Sequence, residues 1–168
     1  ALLKQRLRGV PQNGIRGGAI PKRPDPCSAP LSFAQRQMWV IDQMTPGNPA
    51  YNLPNGYRLR GPLDLTALQN SFNEIIKRHE GLRTTFVVQG GEPQQRIHPE
   101  LAIKIKVTEL DHLTRDDCEK RVQALASEES VKSFDLTCLP LIRVSVFKLG
   151  DAEHVLIINL HHIVADGL

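Results

Sequence analysis

Aromatic side chains are scarce in this chain of 168 residues, since Phe, Trp and Tyr together make up 5% of it. Proteins that bind single-stranded nucleic acids stack the bases on aromatic rings beside a basic groove. The formal net charge here is only +3, and much of the positive charge lies in the first 23 residues rather than in a patch on the folded part. We therefore expect no nucleic-acid partner.

Cysteine is scarce as well, and long apolar runs are missing. Cys27, Cys118 and Cys138 are odd in number and show no paired spacing, which indicates reduced thiols and a cytoplasmic protein. No apolar run approaches membrane-spanning length, and the N-terminus lacks the apolar stretch of a signal peptide. We expect neither a membrane partner nor secretion.

The chain divides by composition into an arm and a domain. Residues 1–30 are rich in glycine and proline, which oppose regular structure beyond a short amphipathic helix over Ala1–Gly9. We interpret residues 1–30 as a linker to an upstream unit, with a ragged N-terminal tail as the alternative. The remainder, residues 31–168, is long enough for one hydrophobic core.

Residues 31–168 alternate helical patterns with single strands and hairpins. Apolar spacing predicts three helices, at Ala34–Met44, Asp64–His79 and Thr114–Ser130. Alternating or β-branched runs predict strands at Tyr57–Arg60, Leu82–Val88, Gln95–His98, Ile103–Val107, Leu141–Leu149 and His154–Leu160. This order predicts an α/β sandwich in which helices pack on a mixed sheet.

Ser32 precedes the first helix and has Gln35 three residues later, which is the spacing of a capping box. It lacks the Gly-x-Ser-x-Gly setting of a nucleophilic serine, so we interpret it as a helix cap. Trp39 and Met38 on the same helix are predicted to be core residues.

The most informative segment is LHHIVADG at Leu160–Gly167, directly after an apolar run that is typical of a buried strand. Adjacent strand residues point to opposite faces, so one of His161 and His162 should face packing and the other a cleft. Asp166 with Gly167 predicts a tight turn that holds a carboxylate near the imidazoles. The arrangement is typical of an acyl-transfer site.

Two other interpretations apply to the same segment. The histidine pair could be core histidines whose ring nitrogens are satisfied by neighbours. A zinc site is the second alternative, but no third ligand stands at metal spacing and the cysteines are scattered, so we expect no metal.

The segment matches the HHxxxDG motif of condensation domains of non-ribosomal peptide synthetases, a family within the chloramphenicol-acetyltransferase-like acyltransferases. Two further segments resemble motifs of this family and stand in its order. SFAQRQMW at Ser32–Trp39 resembles the opening SxAQxRxW motif, with Arg36 and Gln37 in swapped order. RHEGLRTTF at Arg78–Phe86 resembles the second motif, RHExLRTxF, without departure. The resemblance covers residues 31–168.

This resemblance implies roles for individual residues. His162, the second histidine of the motif, faces the cleft and is catalytic, either as a base or as a group that positions the substrate. His161 is structural. Asp166 belongs to a buried ion pair, for which Arg83 is the implied cation and Arg78 the alternative. Gly167 lets the backbone approach the substrate and offers its amide to the oxyanion, with a plain turn glycine as the alternative.

The family resemblance also implies fold and function. We expect one of the two lobes of a chloramphenicol-acetyltransferase-like α/β sandwich, the N-terminal lobe, cut after the HHxxxDG motif. The intact domain would join an acyl or peptidyl thioester on one carrier domain to the amine of an aminoacyl group on the next. The partners are therefore an upstream and a downstream carrier-protein domain and the missing C-terminal lobe. The lobe itself binds no cofactor, because the substrates are carried on the phosphopantetheine arms of the carriers.

Two other functions stay open at this point. The chain could be a non-catalytic module, either a truncated remnant or a docking site for carrier proteins, because half a channel cannot position both substrate arms. A stand-alone acyltransferase that uses coenzyme A fits the HxxxD core but fits Arg78–Phe86 less well.

Overall fold

Seven strands form two sheets in the computed structural model, which describes residues 23–165. The small sheet is antiparallel and has the order β1-β4-β3. The large sheet has the order β2-β7-β6-β5, with β5 parallel to β6 and the other pairs antiparallel. The strands are β1 Ser28–Pro30, β2 Asn52–Arg60, β3 Thr84–Gln89, β4 Glu92–Ile97, β5 Lys106–Glu109, β6 Ile142–Gly150 and β7 Glu153–His161.

Three α-helices pack against these sheets within the described residues. They are α1 Phe33–Met44, α2 Leu65–Arg78 and α3 Arg115–Val131. The predicted helices agree with these bounds to within two residues, and Ser32, Asp64 and Thr114 cap them as side-chain acceptors of backbone N–H groups. The capping box of Ser32 and Gln35 is complete. One-turn 3₁₀ helices lie at Pro49–Tyr51 and Glu80–Arg83.

The large sheet is buried on both faces. Ile76 of α2 packs with Val144 and Leu156 on one face, together with Ile103 and Ile105. Cys118 and Val122 of α3 pack on the opposite face, against Phe147, Val155 and Ile157. Because both faces are covered, β6 and β7 contain adjacent apolar residues that face opposite helices, such as Val146 with Phe147 and Leu156 with Val155, rather than a strict alternation of apolar and polar residues.

A third cluster joins the small sheet to α1 and to the turn after β7. Leu31, Phe86, Phe134, Leu136, Leu141 and Ile163 form its buried part. Trp39 and Met38 pack against this cluster from α1, as predicted. The cluster therefore ties the two sheets together beside the end of β7.

Two strands in the first part of the domain differ from the sequence-based expectations. Ser28–Pro30, placed at the end of the linker, pairs with β4 as an edge strand, where a proline without an N–H is tolerated. The strand predicted at Tyr57–Arg60 begins at Asn52, in a polar stretch that carries no alternating pattern. The predicted helix at Ala1–Gly9 and most of the linker lie outside the described residues.

The strand predicted at Ile103–Val107 is shifted, because β5 begins only at Lys106. The N–H groups of Ile103 and Ile105 donate to the side chains of Asn73 and Gln69 on α2, at 3.0 and 2.8 Å. Side-chain amides thus replace a neighbouring strand, and the two isoleucines are buried without ladder pairing.

Two properties bear on partners. Within residues 23–165, the helices lack the length and apolar character that a bilayer crossing requires. The cysteines are free thiols, with Cys118 buried and Cys27 and Cys138 exposed.

The cap at Ser32 can be tested by substitution. We expect Ser32→Ala to lower the free energy of unfolding by about 1 kcal/mol, because the N–H of Gln35 loses its acceptor. Ser32→Asp keeps an acceptor at the helix start and should restore most of the loss. Urea denaturation measures both variants. Equal stability of the alanine and aspartate variants would contradict the capping role.

Candidate active site

A cleft of about 930 Å³ lies between α1 and the turn that follows β7. Phe33, Val40 and Ile41 of α1 line one side, and Tyr51 and the turn at residues 162–165 line the other. The walls are largely apolar. His162 lies in this lining, half-buried.

Hydrogen bonds to Tyr51 and Ala165 help to hold His162 in place. Its backbone N–H donates to the carbonyl of Tyr51 at 2.8 Å. Its Nδ1 lies 2.8 Å from the carbonyl oxygen of Ala165. Because a carbonyl only accepts, Nδ1 carries the proton, and in the neutral ring Nε2 is the nitrogen with the lone pair. The arrangement selects one tautomer of a histidine that lines a cleft, as a base or positioning group requires.

His161 occupies the opposite environment. Its side chain is 2% exposed and lies beside the rings of Tyr51 and Phe134, each with its centroid 6.1 Å away. Its Nδ1 accepts the N–H of Ile163 at 3.1 Å. Burial, with a smaller effect of the neighbouring His162, lowers the pKa of His161 from 6.5 to about 4. His161 is thus a neutral core histidine that shapes the turn.

Gln35 connects the helix to this turn, a role that the sequence analysis did not assign. Its Oε1 accepts the N–H of Ser32 as the capping box requires, at 2.9 Å. Its Nε2 donates to the carbonyl of Ile163 at 3.1 Å and to Gln95 at 3.3 Å. The capping spacing was visible in the sequence, but no local signal pointed to the contact across 128 residues.

Arg83 lies near the same turn. Its side chain is 14% exposed, donates from Nη1 to the carbonyl of His98, and makes a long ion pair of 3.9 Å with Glu80. Its Nε has no hydrogen-bond partner among residues 23–165. A Cβ on Gly81 would lie 3.2 Å from the carbonyl oxygen of Val164, so the loop before β3 touches the turn.

The remaining predicted residues either lie outside the described residues or have other contacts. Asp166 and Gly167 lie outside the described residues. Arg78, the alternative cation, is 71% exposed and pairs with Glu74 at 2.8 Å on the surface of α2. Ser32 also lines the cleft but serves as the cap of α1. Among residues 23–165, no cluster of His, Cys, Asp or Glu side chains is arranged to hold a metal ion.

This chain matches the model of a known protein family and is similar in sequence to several known proteins. A model of the condensation domain matches residues 27–168. One subunit of linear gramicidin synthase from Brevibacillus parabrevis is 42% identical over 138 residues, which are 82% of this chain and 2% of that protein. Phosphinothricin tripeptide synthetase PhsC of Streptomyces viridochromogenes is 37% identical over 168 residues, 99% of this chain and 15% of that protein. The chain thus spans a small part of these relatives.

Solved structures show the same fold. The starter condensation domain of rhizomide synthetase RzmA superposes with a TM-score of 0.73 at 24% identity, covering 81% of this chain and 34% of that chain. The first condensation domain of the calcium-dependent antibiotic synthetase gives a TM-score of 0.72 at 21% identity, covering 80% and 32%. The predicted fold class is confirmed.

The low pKa of His161 predicts a pH dependence of stability. The unfolded state takes up a proton as the pH falls below about 6.5, whereas the folded state resists protonation until about pH 4. The folded state should therefore lose about 2 kcal/mol of stability between pH 7 and pH 5 from this group. Urea denaturation at the two pH values measures the loss.

His161→Asn is the matched comparison, because its amide oxygen can still accept the N–H of Ile163 but does not titrate. The remaining titratable groups are common to both proteins, so the difference between the two pH dependences isolates His161. Identical pH dependence in the two proteins would show that His161 is not a source of acid sensitivity.

Proposed function

The chain belongs to the condensation-domain family of peptide synthetases, and we propose that it is the N-terminal lobe of a domain that forms amide bonds in non-ribosomal peptide synthesis. The observation that carries this proposal is the placement of His162, in the HHxxxDG motif, on a cleft wall with Nδ1 bound to the Ala165 carbonyl. As the chain covers 2% of the gramicidin synthase relative, the activity of the whole protein is part of the proposal.

The reaction we propose joins two carrier-bound substrates. The amine nitrogen of an aminoacyl group attacks the carbonyl carbon of an acyl or peptidyl thioester, and a C–N bond forms. The C–S bond then breaks, the amine loses a proton, and the departing thiolate of the donor arm takes one up. His162 Nε2 can accept the proton of the amine or hold its N–H in line for attack.

The support around His162 belongs to the same proposal. We propose that His161 shapes the turn and that Arg83 pairs with Asp166 in a buried ion pair. Arg83 is nearly buried, its contact with Glu80 is long, and its Nε has no hydrogen-bond partner among residues 23–165, so a further carboxylate would complete its pairing. The touch between Gly81 and Val164 brings the loop of Arg83 close to the residues that precede Asp166. Gly167 would then lie beside the substrate.

The partners follow from the reaction. An upstream carrier domain presents the donor thioester and a downstream carrier domain the acceptor amine, each on a phosphopantetheine arm, and a C-terminal lobe covers the open side of the cleft. The free thiols support a cytoplasmic location. A docking role without catalysis is the second candidate, because the cleft of the isolated chain is open and cannot orient both arms.

The catalytic role of His162 is tested in the domain with both lobes. We expect His162→Ala to lower the rate of amide formation about 10²- to 10⁴-fold, the usual effect of removing a general acid–base group. Mass spectrometry of the product from loaded carriers measures it in single turnover. His112→Ala removes an exposed histidine and should leave the rate unchanged. A His162→Ala rate within twofold of the parent would refute the catalytic role of His162, and no amide formation by the parent domain would favour the docking role.

The buried ion pair is tested by a double-mutant cycle on unfolding free energy. We expect Arg83→Met or Asp166→Asn alone to cost about 3–5 kcal/mol, because each leaves an unpaired buried charge. The double variant should cost less than the sum of the two. Arg78→Met is the control, and its exposed pair with Glu74 should be worth less than about 1 kcal/mol. Additive effects of Arg83 and Asp166 would refute the pairing.

A further inference from the structure

Polar side chains from three strands of the large sheet bind the last residues of α3 and the residues that follow it. We define residues 129–134 as the exit segment. Asn159 of β7 is fully buried and donates to the carbonyl of Glu129 at 2.7 Å. Asn52 of β2 donates to the carbonyls of Ser130 and Lys132, at 2.7 and 3.0 Å. These amides satisfy carbonyls that have no partner inside the helix.

Arg143 of β6 is the third of these side chains, and all three guanidinium nitrogens contact the exit segment. Nε pairs with the carboxylate of Glu129, and both side chains are less than one-fifth exposed, at 18% and 17%. Nη1 donates to the carbonyl of Ser133 at 3.1 Å and Nη2 to the carbonyl of Lys132. Only the planar fork of an arginine can make these bonds together.

Phe134, at the end of the exit segment, is in contact with both Arg143 and His161. The guanidinium carbon of Arg143 lies 3.6 Å from the centre of the Phe134 ring, in cation–π geometry. The same ring meets His161 edge-on, with 86° between the ring planes. Phe134 is 6% exposed, so water screens neither contact strongly.

His161 connects Phe134 to the turn after β7 through hydrogen bonds. Its Nδ1 accepts the N–H of Ile163, and its carbonyl accepts the N–H of Val164, both at 3.1 Å. A displaced His161 ring would release the N–H of Ile163 and move the turn that contains His162. The Ala165 carbonyl that binds His162 Nδ1 lies in the same turn.

We propose that Arg143 is a positioning residue for His162, which acts through the ring of Phe134 and the Nδ1 of His161. The inference rests on the proposed function, because its kinetic test measures amide formation. The position and tautomer of the His162 ring can be measured independently of that function. Arg143 lies on β6, outside the lining of the cleft, and Phe134 and His161 join its guanidinium group to the turn by side-chain contacts.

A purely structural role for Arg143 predicts something different. If Arg143 only anchors the end of α3, Arg143→Met should leave His162 undisturbed. Phe134→Leu also removes packing against Ile163 of the turn, so Arg143→Met is the variant that discriminates. In the positioning role both Arg143→Met and Phe134→Leu disturb it, whereas Phe134→Tyr keeps both ring contacts and should behave as the parent protein.

The first measurement is kinetic, on the domain with both lobes at a temperature where each variant is folded by circular dichroism. We expect Arg143→Met and Phe134→Leu to lower kcat about 10- to 100-fold with KM changed less than threefold, the effect of a small misplacement of a reacting group. Arg143→Lys keeps a charge without the fork and serves if the methionine variant does not fold. Arg121→Met breaks an exposed pair with Glu128 on α3 and is the control, with kcat unchanged.

The second measurement is nitrogen-15 NMR of the histidine rings in this chain. The parent protein should show His162 with the proton on Nδ1, and Arg143→Met and Phe134→Leu should show mixed tautomers. Unchanged His162 signals and unchanged kcat in Arg143→Met would overturn the proposal. A parent domain with no amide-forming activity but with the expected change in the ring signals would refute the proposed function and leave the positioning role standing.

Discussion

The pleat of β7 places the two histidines of the motif in opposite environments, and much of the site depends on it. Residues at odd positions along the end of this strand, such as Asn159 and His161, lie on the face covered by α3 and the exit segment. A slip of one residue in the pairing of β7 with β6 would exchange the faces of the whole strand. Because both faces are packed with apolar side chains, such a slip would turn Val155 and Ile157 toward the wrong helix. Packing of the core thus determines the register of β7, and this register decides which way His161 and His162 face.

The turn after β7 is assembled from parts that lie far apart in the sequence. Gln35 of α1 binds the carbonyl of Ile163, Tyr51 accepts the N–H of His162, and Gly81 leaves room for Val164. The fourth contact is the hydrogen bond from the N–H of Ile163 to His161 Nδ1. In the proposed function His162 needs such support, because a turn by itself does not hold an imidazole within the tolerance of a reaction.

Local chemistry made several features predictable. The caps at Ser32 and Asp64 follow from the spacing of a side-chain oxygen and the first helical N–H groups, and the structure has both. The hairpin between β6 and β7 follows from two apolar runs around a short polar turn. Where the predicted strands were wrong, the cause was an interaction between residues far apart in the sequence. Asn73 and Gln69 of α2 accept hydrogen bonds from the N–H groups of Ile103 and Ile105. The sequence pattern around these four residues does not predict the contact.

The fold class, the family and the motif that contains His162 could all be read from the order of the residues. They follow from local periodicity and from residue types at short spacing. The order of the strands, the parallel pairing of β5 with β6, and the contacts of Arg143 and Phe134 beneath His161 became visible only in three dimensions. These contacts join residues that become neighbours only when two faces of one sheet are buried by different helices. Their energies depend on burial, which a linear pattern does not contain.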